Sequence, residues 1–191
     1  MTRDPGSQVR IIAGRWRGRR IPVADVEGLR PTPDRIRETL FNWLAAECRG
    51  ATVLDCFAGS GALGLEAASR GAKWVSLVEK NRLAWLGLGS QVRRLQAGNI
   101  EVIHDDVLTR VPRLQHRYDL VFVDPPYARP QLRNAILEAL VAAERLADGA
   151  YIYLEWPKGE TFDLPTAEFR WSRQKKAGQV EYAIAQWKAS G

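Results

Sequence analysis

Two carboxylates in this sequence stand where the backbone is forced to turn, and both turns leave room for a ligand. The first, Asp55, ends the apolar run Val53-Leu54 and opens the stretch Asp55-Cys56-Phe57-Ala58-Gly59-Ser60-Gly61. The run reads as a strand, and a helical pattern follows from Ala62 to Arg70 until Gly71 halts it. Strand, glycine turn and helix N-terminus make a cradle that a ligand approaches closely. A loop built only for a pyrophosphate gains nothing from an adjacent carboxylate, whereas a cationic or hydroxyl-rich ligand does. The second carboxylate opens Asp124-Pro125-Pro126-Tyr127, directly behind the apolar run Leu120-Val121-Phe122-Val123. Two prolines cannot continue a strand ladder, so the chain leaves the sheet there in a stiff conformation. That turn sets a carboxylate, a carbonyl and an aromatic ring at a carboxyl strand end, the edge where open α/β sheets bind ligands.

Gly59, Gly61 and Gly64 also satisfy the dinucleotide spacing G-x-G-x-x-G, with Glu79 at the distance of a ribose-gripping acid. The spacing alone admits a nicotinamide or flavin dinucleotide or S-adenosylmethionine, since each carries an adenosine ribose. A bare strand-to-helix turn is the bland alternative for the loop, and a rigid turn is the bland alternative for Pro-Pro-Tyr. Hydride transfer leaves Asp55 and Asp124-Pro125-Pro126-Tyr127 unexplained, which counts against a dinucleotide.

The elements that must hold these turns alternate strand and helix. From Ala51 onward, strands are expected at the first carboxylate, over Lys73 to Glu79, Ile100 to His104, Tyr118 to Asp124 and Tyr151 to Glu155. Helices lie between them, one running from about Pro130 to Leu146 and burying Leu132, Ile136, Leu140 and Ala143. Phe169 and Trp171, then Val180, Tyr182 and Ile184, alternate with polar residues around Ala177-Gly178, the pattern of a closing antiparallel hairpin. Right-handed crossovers turn such a chain into a doubly wound, mainly parallel sheet of Rossmann-like α/β class. Residues 1–50 form an N-terminal extension and residues 51–191 the domain itself. Within the extension, Val9-Ile11-Ile12 and Ile21-Val23 are expected to pair as a short hairpin around Gly14 to Gly18. A helix from about Asp34 to Glu47 follows, with Thr32 as N-cap and Pro33 at its first position.

Formal net charge is +6, and all but six of the 28 basic residues are arginine, the side chain suited to forked phosphate contacts. Arg10, Arg15, Arg17, Arg19 and Arg20 fall between residues 9 and 23 without an acid, interleaved with Trp16. This composition suits an RNA backbone and an unstacked base, and the six residues are candidate RNA contacts. Two cysteines, Cys48 and Cys56, fit a reducing cytoplasm and cannot build a disulfide framework. His104 and His116 sit far apart, so no metal is expected. No apolar run has the length of a membrane span, and Met1 to Gly6 carry no apolar leader core.

Taken with Arg10-Ile11-Ile12-Ala13-Gly14, Arg30-Pro31-Thr32, Asp34-Arg35-Ile36-Arg37-Glu38-Thr39-Leu40-Phe41-Asn42 and Ala177-Gly178-Gln179-Val180, the two site motifs resemble the bacterial 16S rRNA (guanine(966)-N2)-methyltransferase family. The likeness runs from about Val9 to Trp187. It implies a seven-stranded S-adenosylmethionine-dependent methyltransferase fold and a guanine of the small-subunit RNA as substrate; the chain is expected to be a cytoplasmic monomer. By the same likeness, Asp55, Phe57, Ala58, Gly59, Ser60 and Gly61 line the methionine end of S-adenosylmethionine. Glu79 holds its ribose hydroxyls, Asp106 and the Val107 backbone face its adenine, and Thr32 with the Arg30-Pro31 turn closes over it. Asp105 adjoins Asp106 and either is able to reach the ring.

The chemistry points the same way. A guanine N2 amine is a poor nucleophile, its lone pair delocalised into the ring. The Asp124 carboxylate and Pro125 carbonyl can accept its two N–H groups and aim the nitrogen, so Asp124, Pro125, Pro126 and Tyr127 are the candidate catalytic residues. Tyr127 stacks on the splayed base through its ring, its hydroxyl not needed. An N6-adenine methyltransferase, or an RNA-binding assembly factor without catalysis, remains as an alternative on the same fold.

Overall fold

The computed structural model of the protein describes residues 8–26 and 31–189. Met1 to Gly6, read above for a leader, and Arg30 of the Arg30-Pro31 turn lie outside them. The chain begins with the expected hairpin, β1 (Gln8–Arg10) antiparallel to β2 (Arg20–Pro22), with Val9 opposite Ile21. Those two face the core while Arg10 and Arg20 face solvent, the period-two alternation of a half-buried ribbon. Helix α1 (Asp34–Trp43) follows. Then come β3 (Thr52–Asp55), α2 (Ala62–Ser69), β4 (Trp74–Glu79), α3 (Arg82–Arg94), β5 (Ile100–His104), the short α4 (Val107–Arg110), β6 (Tyr118–Val123), α5 (Leu132–Ala142), β7 (Leu146–Pro157), β8 (Phe169–Ala177) and β9 (Val180–Trp187).

The seven strands from β3 onward form one sheet in the order β5-β4-β3-β6-β7-β9-β8. β5, β4, β3, β6 and β7 are parallel, while β9 runs antiparallel between β7 and the edge strand β8. This is the doubly wound Rossmann-like methyltransferase arrangement, closed by the expected hairpin. The chain direction across the sheet reverses between β3 and β6, which makes the gap beyond their carboxyl ends the ligand crevice.

The N-terminal extension is not an appended arm. Ile11, Trp16, Ile21, Ile36, Leu40, Phe41, Leu44 and Cys48 pack in one cluster with Val53, Leu120 and Phe122 of the sheet. A buried acid on α2, Glu66, fixes the register: its two oxygens accept from the main-chain N–H of Ile12 (2.7 Å) and Ala13 (3.0 Å). Arg70 bonds the same carboxylate at 2.7 Å, and Arg37, fully buried on α1, lies 3.6 Å from it. At Gly14 a Cβ would stand 1.9 Å from the Ser69 carbonyl, so only glycine lets the hairpin lie against α2.

Three local expectations are corrected. Pro33, not Thr32, stands at the N-cap of α1 and no side chain caps the helix, because Thr32 is turned inward to 7 % exposure. α1 stops at Trp43 rather than near Glu47. α5 ends at Ala142, and Leu146 is the first residue of β7, five residues ahead of the expected start. The stop is a Schellman turn: Arg145 N–H bonds Leu140 O, Glu144 N–H bonds Val141 O, and Glu144 takes φ +54°. Glycine normally marks that left-handed position; glutamate there leaves no stop signal to read.

Candidate active site

The carboxyl ends of the central strands bring the two motifs together. Asp55 pairs in register with Phe122, and Cys56 N–H continues the ladder to the Phe122 carbonyl at 3.0 Å. Asp124 therefore emerges beside Asp55 across the crevice, with Glu79 ending β4 and Asp106 just past β5 on the other side. Every candidate carboxylate of the sequence reading shares this one edge.

The loop between β3 and α2 is held by Glu79. One carboxylate oxygen accepts from Gly59 N–H at 2.7 Å and the other from Asn81 N–H at 2.6 Å. Gly61, at the N-cap of α2, sits at φ +79° with the Leu88 and Leu65 side chains inside contact distance of any added Cβ. Ala58 and Ser60 are buried, and Phe57 is half-buried. Asp106 caps α4 by accepting from Leu108 N–H at 3.0 Å, and its hydrogen bond with Lys80 holds its carboxyl below the usual range. Val107, the first residue of α4, is packed in the core.

These residues fit S-adenosylmethionine. A carboxylate offers about four lone-pair sites, and the two main-chain donors on Glu79 leave capacity for a pair of ribose hydroxyls. Asp55 is 3 % exposed and takes only main-chain donors, Gly64 N–H at 3.1 Å and Phe57 N–H. Burial pushes its carboxyl up to about 7 against those two hydrogen bonds. A buried anion with no cation against it is matched by a ligand that carries a sulfonium and an ammonium.

On the opposite wall, burial raises Asp124 well above the usual carboxylate range, and the nearby Glu155 and Asp55 charges add to this. Arg133 and a hydrogen bond from Thr32 oppose the rise. Thr32 thus touches Asp124 itself. Pro125 is buried and Pro126 exposed, and the Tyr127 ring is 47 % exposed, as a stacking platform requires. Its hydroxyl is engaged, donating to Glu155 Oε1 at 2.8 Å, while the Tyr153 hydroxyl donates to Oε2 at 2.7 Å. Sequence reasoning missed Glu155, Tyr153 and Arg133. The available signal was an acid at the end of the Tyr151-to-Glu155 strand, the same position that singled out Asp55 and Asp124.

The basic arm divides. Arg17, Arg19 and Arg20 are exposed and meet no acid among the described residues. Arg10 is 3.9 Å from Asp34. Arg15 bonds Asn99 at 2.6 Å and lies 3.9 Å above the Trp16 ring. Trp16 itself is buried in the core at 8 % exposure, so it packs the hairpin and is not offered to a base, a correction to the sequence reading. Among the described residues no cluster of His, Cys, Asp and Glu has the makings of a metal site, and no helix is long and apolar enough to cross a membrane.

A reversing parallel sheet, a glycine cradle flanked by acids and a carboxylate before a double proline define the class: a Rossmann-like fold of the S-adenosylmethionine-dependent methyltransferases. The chain belongs to the family described as Conserved hypothetical protein 95, whose pattern matches residues 9–186. It is 47 % identical over 186 residues to the Escherichia coli K12 "Ribosomal RNA small subunit methyltransferase D", covering 96 % of this chain and 92 % of that one. The protein of the same name from Haemophilus influenzae is 39 % identical over 191 residues, covering 97 % of each. The solved Escherichia coli protein yhhF superposes with a TM-score of 0.88 at 42 % identity, over 96 % of this chain and all of that one.

Proposed function

We propose that this protein transfers a methyl group from S-adenosylmethionine to the exocyclic N2 amine of a guanine in the 16S rRNA of the small ribosomal subunit. The single observation that carries the reading is Asp124, a carboxylate at the strand reversal, raised by burial and faced across the crevice by the Asp55 cradle. Relatives named for methylating small-subunit RNA supply the substrate class. S-adenosylmethionine brings an electrophilic methyl on a cationic sulfur. The protein does the rest by positioning. Asp124 and the Pro125 carbonyl accept the amine's N–H groups and aim the nitrogen lone pair, and Tyr127 presents its ring to the flipped base. A carboxylate raised by its neighbours is also the stronger base for the proton that the methylated amine sheds.

Residues 1–50 serve as the RNA-facing extension of a catalytic domain spanning 51–191, with Arg10, Arg15, Arg17, Arg19 and Arg20 on phosphates. The unit acts as a cytoplasmic monomer. To test the reading, methyl-labelled S-adenosylmethionine is incubated with the protein and unmethylated small-subunit particles, free 16S rRNA or DNA, and products are digested to nucleosides. N2-methylguanosine is expected, and Asp124→Ala should lower transfer at least about a hundredfold while remaining folded. Label in N6-methyladenosine, or undiminished transfer by the variant, overturns the assignment.

A further inference from the structure

The methyl-transfer reading leaves one part of the site unused: a buried acid that holds an exposed ring. Val123 pairs with Leu154, so Asp124 and Glu155 are the next residues along neighbouring strands β6 and β7. Glu155 is 5 % exposed and each of its oxygens receives a tyrosine hydroxyl, from Tyr127 and from Tyr153. Its main-chain carbonyl is approached by Arg133 of α5 at 3.5 Å, and Arg133 is itself paired with Glu160, which braces this strand end. A buried carboxylate is costly, and an apolar side chain would pack the same volume at less expense. Tyr127, by contrast, projects from a loop past two prolines with its ring half open to solvent. A phenol hydrogen bond to a charged acceptor is among the stronger ones, and it fixes the ring's direction.

We infer that Glu155 is a positioning residue of this site, tethering the Tyr127 hydroxyl so that the ring stands as a fixed wall beside Asp124 for the target base. The inference rests on the proposed methyl transfer and adds to it a residue and a use for the hydroxyl. Tether and charge are separable. Glu155→Gln keeps an acceptor for Tyr127 and removes the charge, whereas Tyr127→Phe keeps the charge and removes the tether. The charge matters because the groups facing Asp124 are Glu155 from β7, Asp55 from β3, Arg133 from α5 and the Thr32 hydroxyl ahead of α1.

The experiment compares kcat/KM for methyl transfer to small-subunit particles in wild type, Tyr127→Phe, Glu155→Gln, Glu155→Leu and the Tyr127→Phe/Glu155→Leu pair. Thermal unfolding and S-adenosylmethionine affinity are measured alongside. Tyr127→Phe should lose roughly tenfold in kcat/KM, the scale of one hydrogen bond to a charged group, with cofactor affinity kept. It should lose little further in the Glu155→Leu background, because the tether is already gone. Glu155→Gln should hold most of its activity at neutral pH. Its acid limb should move to lower pH, since Asp124 ionises more readily without a neighbouring anion. Should Glu155→Leu fail to fold, Tyr127→Phe and Glu155→Gln decide alone. Full kcat/KM in Tyr127→Phe, additive losses in the pair, or an unmoved acid limb in Glu155→Gln overturns the inference while methylation by wild type stands. A wild type that methylates no RNA removes the proposed function, and this inference with it.

Discussion

Replacing Asp55 with asparagine should make the ligand-free protein more stable, and more so as pH rises. Asp55 has an ordinary value of 3.8 and is raised to about 7 in the folded chain. A raised acid binds its proton more tightly folded than unfolded, so its contribution is most favourable at low pH and is lost as pH climbs from the lower value to the higher. Three units at about 1.36 kcal/mol each put the full cost of the ionised carboxylate near 4 kcal/mol. Between about pH 5 and about pH 8 the change is roughly 2–3 kcal/mol by the same linkage. Asparagine never ionises, but its amide NH2 turns a donor toward one of the two main-chain N–H groups that the carboxylate accepts from, costing about 1–3 kcal/mol. The two effects nearly cancel at about pH 5, and the variant should gain about 2 kcal/mol at about pH 8. Urea unfolding of both proteins at both pH values measures this, since groups common to the pair drop out of the difference. Calorimetry at the higher pH should show S-adenosylmethionine binding weakened, because the anion that burdens the empty fold is the one a cationic ligand neutralises. A stability difference that is the same at both pH values would refute the reasoning.

Glu79→Ala should weaken S-adenosylmethionine binding by about 1.5–3 kcal/mol, read by calorimetry, because it strips the ribose partner and the anchor of Gly59 together. Replacing Arg17, Arg19 and Arg20 with serine should leave cofactor binding unchanged. In a salt titration of RNA binding it should make the plot of log affinity against log salt shallower by about 0.7–0.9 per lost phosphate contact; parallel lines of equal affinity would show that the arm only meets solvent. Glu66→Ala should cost about 3–5 kcal/mol in urea unfolding, since it frees two main-chain donors and removes one of the two acids facing the buried Arg37, leaving it Asp34 alone.

Both motif turns were legible because each closes a short apolar run with glycine or proline, and β4 and β5 because each is a short apolar run a few residues after a glycine, Gly71 and Gly98; these punctuators act locally. The hairpin at Gly14 to Gly18 and the closing pair around Gly178 were legible for the same reason. What escaped depends on partners distant in sequence. Nothing near Thr32 says that it faces Asp124, and the Tyr127–Glu155 bond joins residues 28 apart. Trp16 sits in a run of arginines, so composition pointed outward, yet the hairpin presses it against α2, where Ser69 Oγ accepts from the Trp16 main-chain N–H at 3.0 Å. The overrun of α5 came from Ala142-Ala143-Glu144-Arg145, all compatible with helix, the stop being set by a left-handed glutamate.

The Glu66 clamp also bears on how the chain comes to its final form during synthesis. Residues 11–16 are made before α2, but the acceptors for their main-chain donors, Glu66 and Ser69, exist only once α2 has been made and has docked on β3. The hairpin is therefore seated only after a segment some fifty residues further along has formed. Until α2 docks, Ile11, Trp16 and Ile21 lack part of the apolar surface that covers them in the folded chain. Cutting the extension away would not free a self-sufficient domain, because it would strand Glu66 at the bottom of an opened groove with only Arg70 in reach.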